Sequence, residues 1–564
     1  MIVVECDVLV VGGGLAAVSA AKGAITEGLR VCQAVKGTFG TMGMRGAGAS
    51  SCGTTFYGVP KLPVISPEEY DPDRRFSEIV AAGLGMADRK LATIMVEDAQ
   101  KTGRQTAEWG AELGLKGPAA LGYPLVSAVE HEIRLSGAKV LEHTMVTDLI
   151  LCEGTCVGAI ALCMSGIDSG EIVVFAAPAV VLATGGEAQL FKHNVHPECV
   201  TGDGYAMALR AGAALMNMEF MQIFFTTVFP TRNLMHVWEG SELGDIRNRE
   251  GVRFLSDYLP EGISVEECVA ENLRHAPFST RDHASRYLGI AIVKEIQEGR
   301  ATDHDGIFLD QPVYRHGHPA AQQEFLRHRG IDAGQVPVQI AMGFQCSNGG
   351  LRVNEQSMST VPGLFAVGEA STGMHGADRI GGHMLANCLV FGSRAGRFAS
   401  GWAKSNTVAA DVRELSRDAV RQLEARQSAT GTRRAEEIHR DLRQSAWDKA
   451  LLIRSEKSLR GFLSDIAGQK DEMGSCSVES PDDVIRILEL ENMLLVGQAV
   501  GMSALRRQES RGGHNREDYP DYRAQEPPEA HIITQTHGKI NVVQDVIDPA
   551  WRETDKELKQ ARWG

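Results

Sequence analysis

Residues 363–400 read GLFAVGEASTGMHGADRIGGHMLANCLVFGSRAGRFAS. A short apolar run, Leu364 to Val367, ends in Gly368-Glu369, and a glycine-rich segment with His375 and Arg379 follows. From Leu385 to Phe391 an apolar helix pattern begins and continues through small residues. A strand, a turn that admits close backbone approach and a helix N-terminus together hold a planar, partly anionic ligand. The N-terminus supplies a matching half. Residues 6–11, CDVLVV, read as a buried strand, followed by Gly12-Gly13-Gly14, Leu15-Ala16-Ala17 and an alanine-rich helix to about Gly28. Gly12, Gly14 and Ala17 form GxGxxA: the first glycine makes a tight turn, the second admits a pyrophosphate, and the third position needs a small residue for helix–strand packing. The second strand, Arg30 to Val35, ends in Val35-Lys36 where an acid would bind a ribose, which argues against a plain NAD site.

Working outward, residues 38–53, TFGTMGMRGAGASSCG, read either as a surface loop or as a backbone-lined channel for a cofactor. Helices are expected over 75–115 and 121–140, then strands over 139–158 with a turn at Gly154, and a hairpin over 159–175. Ala179 to Gly186, AVVLATGG, is a buried strand ending in glycines. Thr201-Gly202-Asp203-Gly204 opens a helix from Tyr205 to Ala213, with Asp203 placed to cap it or to accept a hydrogen bond from a ligand hydroxyl. Residues 233–340 turn polar and rich in Arg, His and Asp, and read as an insertion; 341–404 return to strand, glycine turn and helix. Residues 405–510 are helical, with charge pairs between 411 and 445 that mark a solvated face. Residues 521–564 are polar, with strand-like segments near Ile532 and over 540–546.

The chain has 564 residues, enough for two to four domain-sized units. A net charge of −15 excludes a nucleic-acid partner on electrostatic grounds. No run reaches the ~18 apolar residues of a membrane span, and no basic region of a signal peptide precedes the first strand, so direct membrane insertion is not expected. The 11 cysteines are scattered without a CxxC, and Cys152, Cys156 and Cys163 match no zinc or iron–sulfur spacing. The pattern fits buried thiols in a reducing cytoplasm, with no metal site in the chain.

Three segments in order, VVGGGLAA at 10–17, ATGG at 183–186, and GLFAVGEA with HGADR at 363–379, resemble the flavoprotein subunits of succinate dehydrogenase and fumarate reductase. That family includes L-aspartate oxidase and the adenylylsulfate reductase α subunit. TGDG at 201–204, MEFMQ at 218–222, Arg281-Asp282, LLIRSEKSLRGFL at 451–463 and ESRGGHNREDYP at 509–520 extend the resemblance over nearly the whole chain. It implies an α/β fold: a Rossmann-like FAD-binding domain at 1–232 and 341–404, an inserted α+β capping domain at 233–340, a helical domain at 405–520 and a tail at 521–564. It implies FAD as cofactor, with Gly12, Gly13, Gly14, Leu15, Ala16 and Ala17 at its pyrophosphate. Lys36, Gly37 and Gly48 then fall in the segment lining its path, and Asp203 and Glu369 contact it. Met384 and Leu385 stand where the family has a Ser-Leu pair, so their backbone N–H groups face the flavin N1–C2=O edge, where charge develops on reduction. Several family members also lack an acid at the position of Val35-Lys36.

By the same resemblance Arg281 passes a proton to or from the substrate carbon while flavin N5 exchanges a hydride. An arginine in water is a poor acid, so a carboxylate relay is expected, with Glu239, Glu242 and Asp245 as candidates. The alternative for Arg281 is a structural ion pair with Asp282. Arg379 matches the arginine that binds a substrate carboxylate, and its alternative is an ion pair with Asp378. Two family histidines are replaced, one by Phe224 and one by Gln345. The expected substrate is therefore a mono-carboxylate, an aromatic or alicyclic acid or a thioester, and not a C4 dicarboxylate. His383 replaces an asparagine and either caps the helix or polarises a substrate carbonyl. No histidine precedes His131, so a histidyl–flavin link in residues 38–50 is ruled out and FAD is expected to be noncovalent. The expected activity is that of an enoate reductase or dehydrogenase acting on CH–CH. The alternatives are an adenylylsulfate-reductase-like flavoprotein or a non-catalytic electron-transfer protein. The expected electron partner is an iron–sulfur or ferredoxin-like protein, through which the cytoplasmic chain would reach a membrane.

Overall fold

The computed structural model of the chain describes residues 1–39, 71–112, 131–164, 169–233, 245–274, 278–281, 284–309, 330–331, 338–381, 383–408, 410–521 and 528–546. Its centre is a five-stranded parallel sheet in the order Leu364–Ala366, Ala179–Leu182, Val8–Val11, Val31–Ala34, Lys139–Leu141. The three middle strands are fully buried runs of Val, Leu, Ala, Cys and Gln, the composition of a parallel sheet covered on both faces. Helix Leu15–Ile25 leaves the sheet after Val8–Val11, and helix His383–Ser405 packs along it. A Cβ on Gly396 would lie 2.2 Å from Ala20 O, so glycine and alanine together let the two helices touch backbone to backbone. The N-terminal motif and the 363–400 stretch are thereby locked into one unit.

Several elements differ from expectation for visible reasons. The helix expected over 75–115 is two helices, Pro72–Ala82 and Arg89–Glu112. It breaks at Gly83-Leu84-Gly85, where Leu84 and Gly85 take positive φ and Ala377 N donates to Gly83 O at 3.0 Å. The 363–400 stretch docks into that break. Of the helix expected over 121–140, residues 131–135 are helical, and Lys139–Leu141 instead joins the parallel sheet as its edge strand. The helix expected over 205–213 is Asp203–Arg210, and Gly202 occupies its N-cap at φ 80, so Asp203 does not cap it.

A second sheet sets Ile2–Glu5 beside Ile172–Ala176, followed by the antiparallel strands Thr155–Cys163 and Thr144–Cys152. In a third, Met221–Phe229 pairs antiparallel with Gln339–Ser347, and Ile307–Leu309 and Ile246–Arg247 extend it. The strands flanking the polar insertion thus share a sheet with strands inside it. Helices Ala435–Ala446, Glu456–Met473 and Pro481–Arg506 follow, the last two opened by capping boxes on Ser455 and Ser480. The hairpin Glu529–Thr536/Lys539–Val546 completes a fourth sheet against Leu215–Met216.

The MEFMQ and ESRGGHNREDYP segments meet in a buried ionic cluster. Glu219 accepts from Arg507 Nε at 2.6 Å and from Ser503 Oγ, with His531 Nδ1 at 3.3 Å. Glu509 pairs with Arg507 at 3.0 Å and with Arg511 at 2.7 Å. Burial alone would raise the Glu219 pKa, but Arg507 and His531 hold it well below the usual carboxylate range. Removing one partner leaves the others buried and uncompensated, so Glu219→Leu is expected to cost about 3–5 kcal/mol in urea-monitored unfolding.

Candidate functional site

Gly12 closes the first turn. Its φ is +128, and an added Cβ would stand 2.3 Å from Ala183 O. Gly14 precedes helix Leu15–Ile25 with no side-chain cap, and no acid stands in the first turn. The N–H groups at the start of this 11-residue helix, around Leu15, Ala16 and Ala17, are therefore left open to an anion, with no side-chain cap or acid competing for them. Lys36 leaves the next strand and reaches Asp203 at 2.8 Å, Glu489 at 2.6 Å and Thr201 Oγ1 at 2.8 Å. Burial would lower its pKa, but the two carboxylates outweigh this and hold it above the usual range. Asp203 also accepts from Thr201 Oγ1 at 2.9 Å and Asn492 Nδ2 at 2.8 Å. Asp203 and Lys36 are thus a rigid wall joined to helix Pro481–Arg506.

Glu369 lies in the short turn Gly368–Ala370; its Oε1 accepts from Ser347 N at 2.9 Å, and its carbonyl accepts from Tyr205 OH. Met384 and Leu385 occupy the first turn of helix His383–Ser405, where backbone N–H groups have no intrahelical acceptor. Around these turns Thr184 Oγ1, Ser347 Oγ, Asn348 Oδ1 and Asn387 Oδ1 are buried without a protein partner. Uncapped helix starts, a glycine cradle and orphaned polar atoms fit a long, polar, partly anionic ligand. Gly37 leaves the strand end beside Lys36, its carbonyl accepting from His143 N at 3.2 Å, and Gly48 lies outside the described residues.

The two arginines converge on Asp378. Arg379 is buried; its backbone N donates to Asp378 Oδ1 at 2.9 Å, its Nη1 donates to Ile380 O at 3.1 Å, and its Nε is buried with no partner. Arg281 Nη2 lies 3.5 Å from Asp378 Oδ2. The ion pair of Asp378 runs to Arg281, so the alternative of a side-chain ion pair between Arg379 and Asp378 is not what forms here; Asp282, the alternative partner of Arg281, lies outside the described residues. Of the three relay candidates, Asp245 pairs with Arg247 and Arg253, and Glu239 and Glu242 lie outside the described residues. Two backbone bonds fix the arginines relative to each other: Thr280 N donates to Gly512 O at 2.8 Å, and Gly513 N donates to Ala377 O at 3.2 Å. Only glycine fits at 513, where a Cβ would stand 1.8 Å from Met221 O.

Gln222 completes this corner. Its Nε2 donates to Arg379 O at 2.6 Å and Asp378 Oδ1 at 3.3 Å, and its Oε1 accepts from Cys346 Sγ at 3.2 Å. Burial pushes the Cys346 thiol up to about 11, so it stays neutral. Phe224 is buried, edge-on to Phe225 at 5.4 Å. Gln345 is half-buried, and its carbonyl is held by the His196 ring. His383 is the first residue of its helix, its N donating to Ile380 O at 3.2 Å. His375 beside it is buried, and desolvation, Arg379 and His383 drive its pKa well below the usual value.

An FAD binding domain model matches residues 7–123 and 115–385, and a fumarate reductase flavoprotein C-terminal model matches 439–551. The chain is 31% identical over 552 residues to one of the chains of the fumarate reductase (CoM/CoB) of Methanothermobacter marburgensis, covering 92% of this chain and 95% of that one. The chain belongs to the fumarate reductase/succinate dehydrogenase flavoprotein family. L-aspartate oxidase of Streptomyces coelicolor, a further relative, is 28% identical over 558 residues, covering 92% of this chain and 89% of its own. The solved structure of Mycobacterium smegmatis Sdh1 in complex with UQ1 superposes with a TM-score of 0.79 at 26% identity, over 99% of this chain and 98% of that one. The flavoprotein is an FAD-dependent oxidoreductase with the family's fold: a Rossmann-like FAD-binding part, a cap and a C-terminal helical region. No helix among the described residues is long and apolar enough to cross a membrane.

Sequence reasoning missed Asp378 as the Arg281 partner, Gln222 as the link between Asp378 and Arg379, and Glu489 as the second anchor of Lys36. Asp378 is visible beside Arg379, but adjacency points to the wrong arginine. Glu489 stands on a helix hundreds of residues from Lys36, and no local pattern marks it.

Proposed function

We propose that this flavoprotein adds or removes hydrogen across a C–C bond next to a carboxylate or carbonyl, on a substrate other than a C4 dicarboxylate. The observation that carries the reading is the Arg281–Asp378 ion pair next to the buried Arg379, whose Nε has no protein partner. FAD, when bound, supplies the hydride chemistry. Arg379 presents a fork of donors to one substrate carboxylate. Arg281 stands as the proton carrier for the substrate carbon, and Asp378 orients it and balances its charge. Gln222 locks the Arg379 backbone so that the fork does not wander.

Phe224 in place of an imidazole leaves a second carboxylate without a partner at one end of the pocket, and burying an unpaired carboxylate is costly. Fumarate is therefore expected to bind at least about 100-fold more weakly than a matched mono-carboxylic enoate. Perturbation of the oxidised flavin spectrum on ligand titration checks this, and equal affinities would refute it. We place the electron partner in a separate iron–sulfur or ferredoxin-like protein; family analogy is the warrant. FAD is held noncovalently, so acid or urea denaturation followed by filtration is expected to leave all the yellow colour in the filtrate.

A further inference from the structure

Glu187 follows Ala183-Thr184-Gly185-Gly186 directly and is buried at 0% exposure. Neither of its carboxyl oxygens makes a hydrogen bond of normal geometry, and the Ser347 hydroxyl acts on the group only weakly. The adjacent Gly186 makes room for another acid: a Cβ there would lie 2.4 Å from Glu369 Oε1. The buried carboxyl of Glu187 and the half-buried one of Glu369 therefore lie near each other at the FAD site, close enough for the charge on one to act on the other. The titratable and charged groups acting on Glu187 and its neighbours are Glu369, Tyr205 and Cys346, with Arg379 reaching Cys346 from the far side. Two carboxylates are acceptors only and cannot bond to each other, and like charges in low dielectric repel. One proton removes both problems, because it turns one acid into a donor.

We propose that Glu187 is a protonated positioning residue that donates a hydrogen bond to Glu369 and so fixes the orientation of that carboxylate toward FAD. The inference rests on the FAD site described above. In this reading Glu187 acts through Glu369. Burial and the Glu369 charge, against a smaller pull from the Ser347 hydroxyl, push its pKa up to about 8, so the proton is held at neutral pH and lost in mild alkali. Its loss leaves two negative charges behind the cofactor and frees Glu369 to turn away. FAD affinity is then linked to one proton, constant below the raised pKa and falling as pH rises through it.

The test is FAD titration of deflavinated full-length protein from about pH 6 to about pH 9, in wild type and in Glu187→Gln. Glutamine has the same shape, donates a hydrogen bond and does not titrate. Wild type is expected to lose about tenfold in FAD affinity between about pH 7 and about pH 9, the factor for one proton released near pH 8. Glu187→Gln is expected to change less than about twofold over the same range. An infrared spectrum of the wild-type holoprotein at neutral pH is expected to show a protonated-carboxyl C=O band that the variant lacks. Parallel pH curves for the two proteins, or the same carboxyl band in both, would overturn the proposal. If neither protein takes up FAD at any pH, the cofactor assignment fails instead, which is a different result.

Discussion

Replacing Arg281 by lysine is expected to lower the single-turnover rate of substrate reduction by about 10³-fold while FAD stays bound, the size typical of a lost general acid. Arg281 reaches Asp378 from the loop held by Thr280 and Gly512, with its side chain mostly buried. Lysine offers one compact ammonium in place of a planar fork. It can satisfy Asp378 or approach the substrate carbon, but one short head group cannot span both. The cradle on Gly12, Lys36 and Glu369 is built from other elements, so the flavin spectrum and FAD affinity should not change. Flavin reoxidation in stopped flow measures the loss. A rate within a few-fold of wild type would remove Arg281 from the chemistry.

The second large effect concerns the cradle. Gly12→Ala is expected to abolish FAD uptake, with affinity reduced by at least about 100-fold and the parallel sheet retained. Two constraints act at this position: φ is +128, a conformation that strains any side chain, and the new Cβ would lie 2.3 Å from the Ala183 carbonyl oxygen. Relief requires moving either the first turn or the strand end at Ala183, the two segments proposed to hold the cofactor. Gly28 provides the control. It too has positive φ, +76, but open space surrounds it, so Gly28→Ala should cost about 1 kcal/mol of stability and leave FAD binding intact. Flavin content after purification and FAD titration distinguish the two variants.

Much of the cradle is legible in the sequence because its signals are local. A buried strand, a glycine turn and a small-residue helix are read within twenty residues at Val8–Ile25, and over a longer span at Leu364–Ser405. The parallel pairing of those strands through Ala179–Leu182 follows from the same composition. What is not legible depends on distance in the chain. Asp378 pairs with Arg281 and not with its neighbour Arg379, because the loop holding Arg281 is pinned by Gly512, far along the sequence. Lys36 reads as a strand end lacking an acid; its anchors Asp203 and Glu489 arrive from two distant helices. The break at Gly83–Gly85 does carry a local signal, two glycines flanking Leu84, but the docking of Ala377 that exploits it is a tertiary event. Glu187 has no local signal at all, because only folding brings it beside Glu369.

The reaction proposed for this flavoprotein takes place at a C–C bond beside a single carboxylate or carbonyl. The most direct test is anaerobic mixing of the photoreduced holoprotein with a panel of α,β-unsaturated acids and thioesters that includes fumarate, following the return of oxidised-flavin absorbance. The expected result is rapid reoxidation by at least one mono-carboxylic or thioester enoate, and reoxidation by fumarate slower by at least about 100-fold. Fumarate matching the best member of the panel would contradict it.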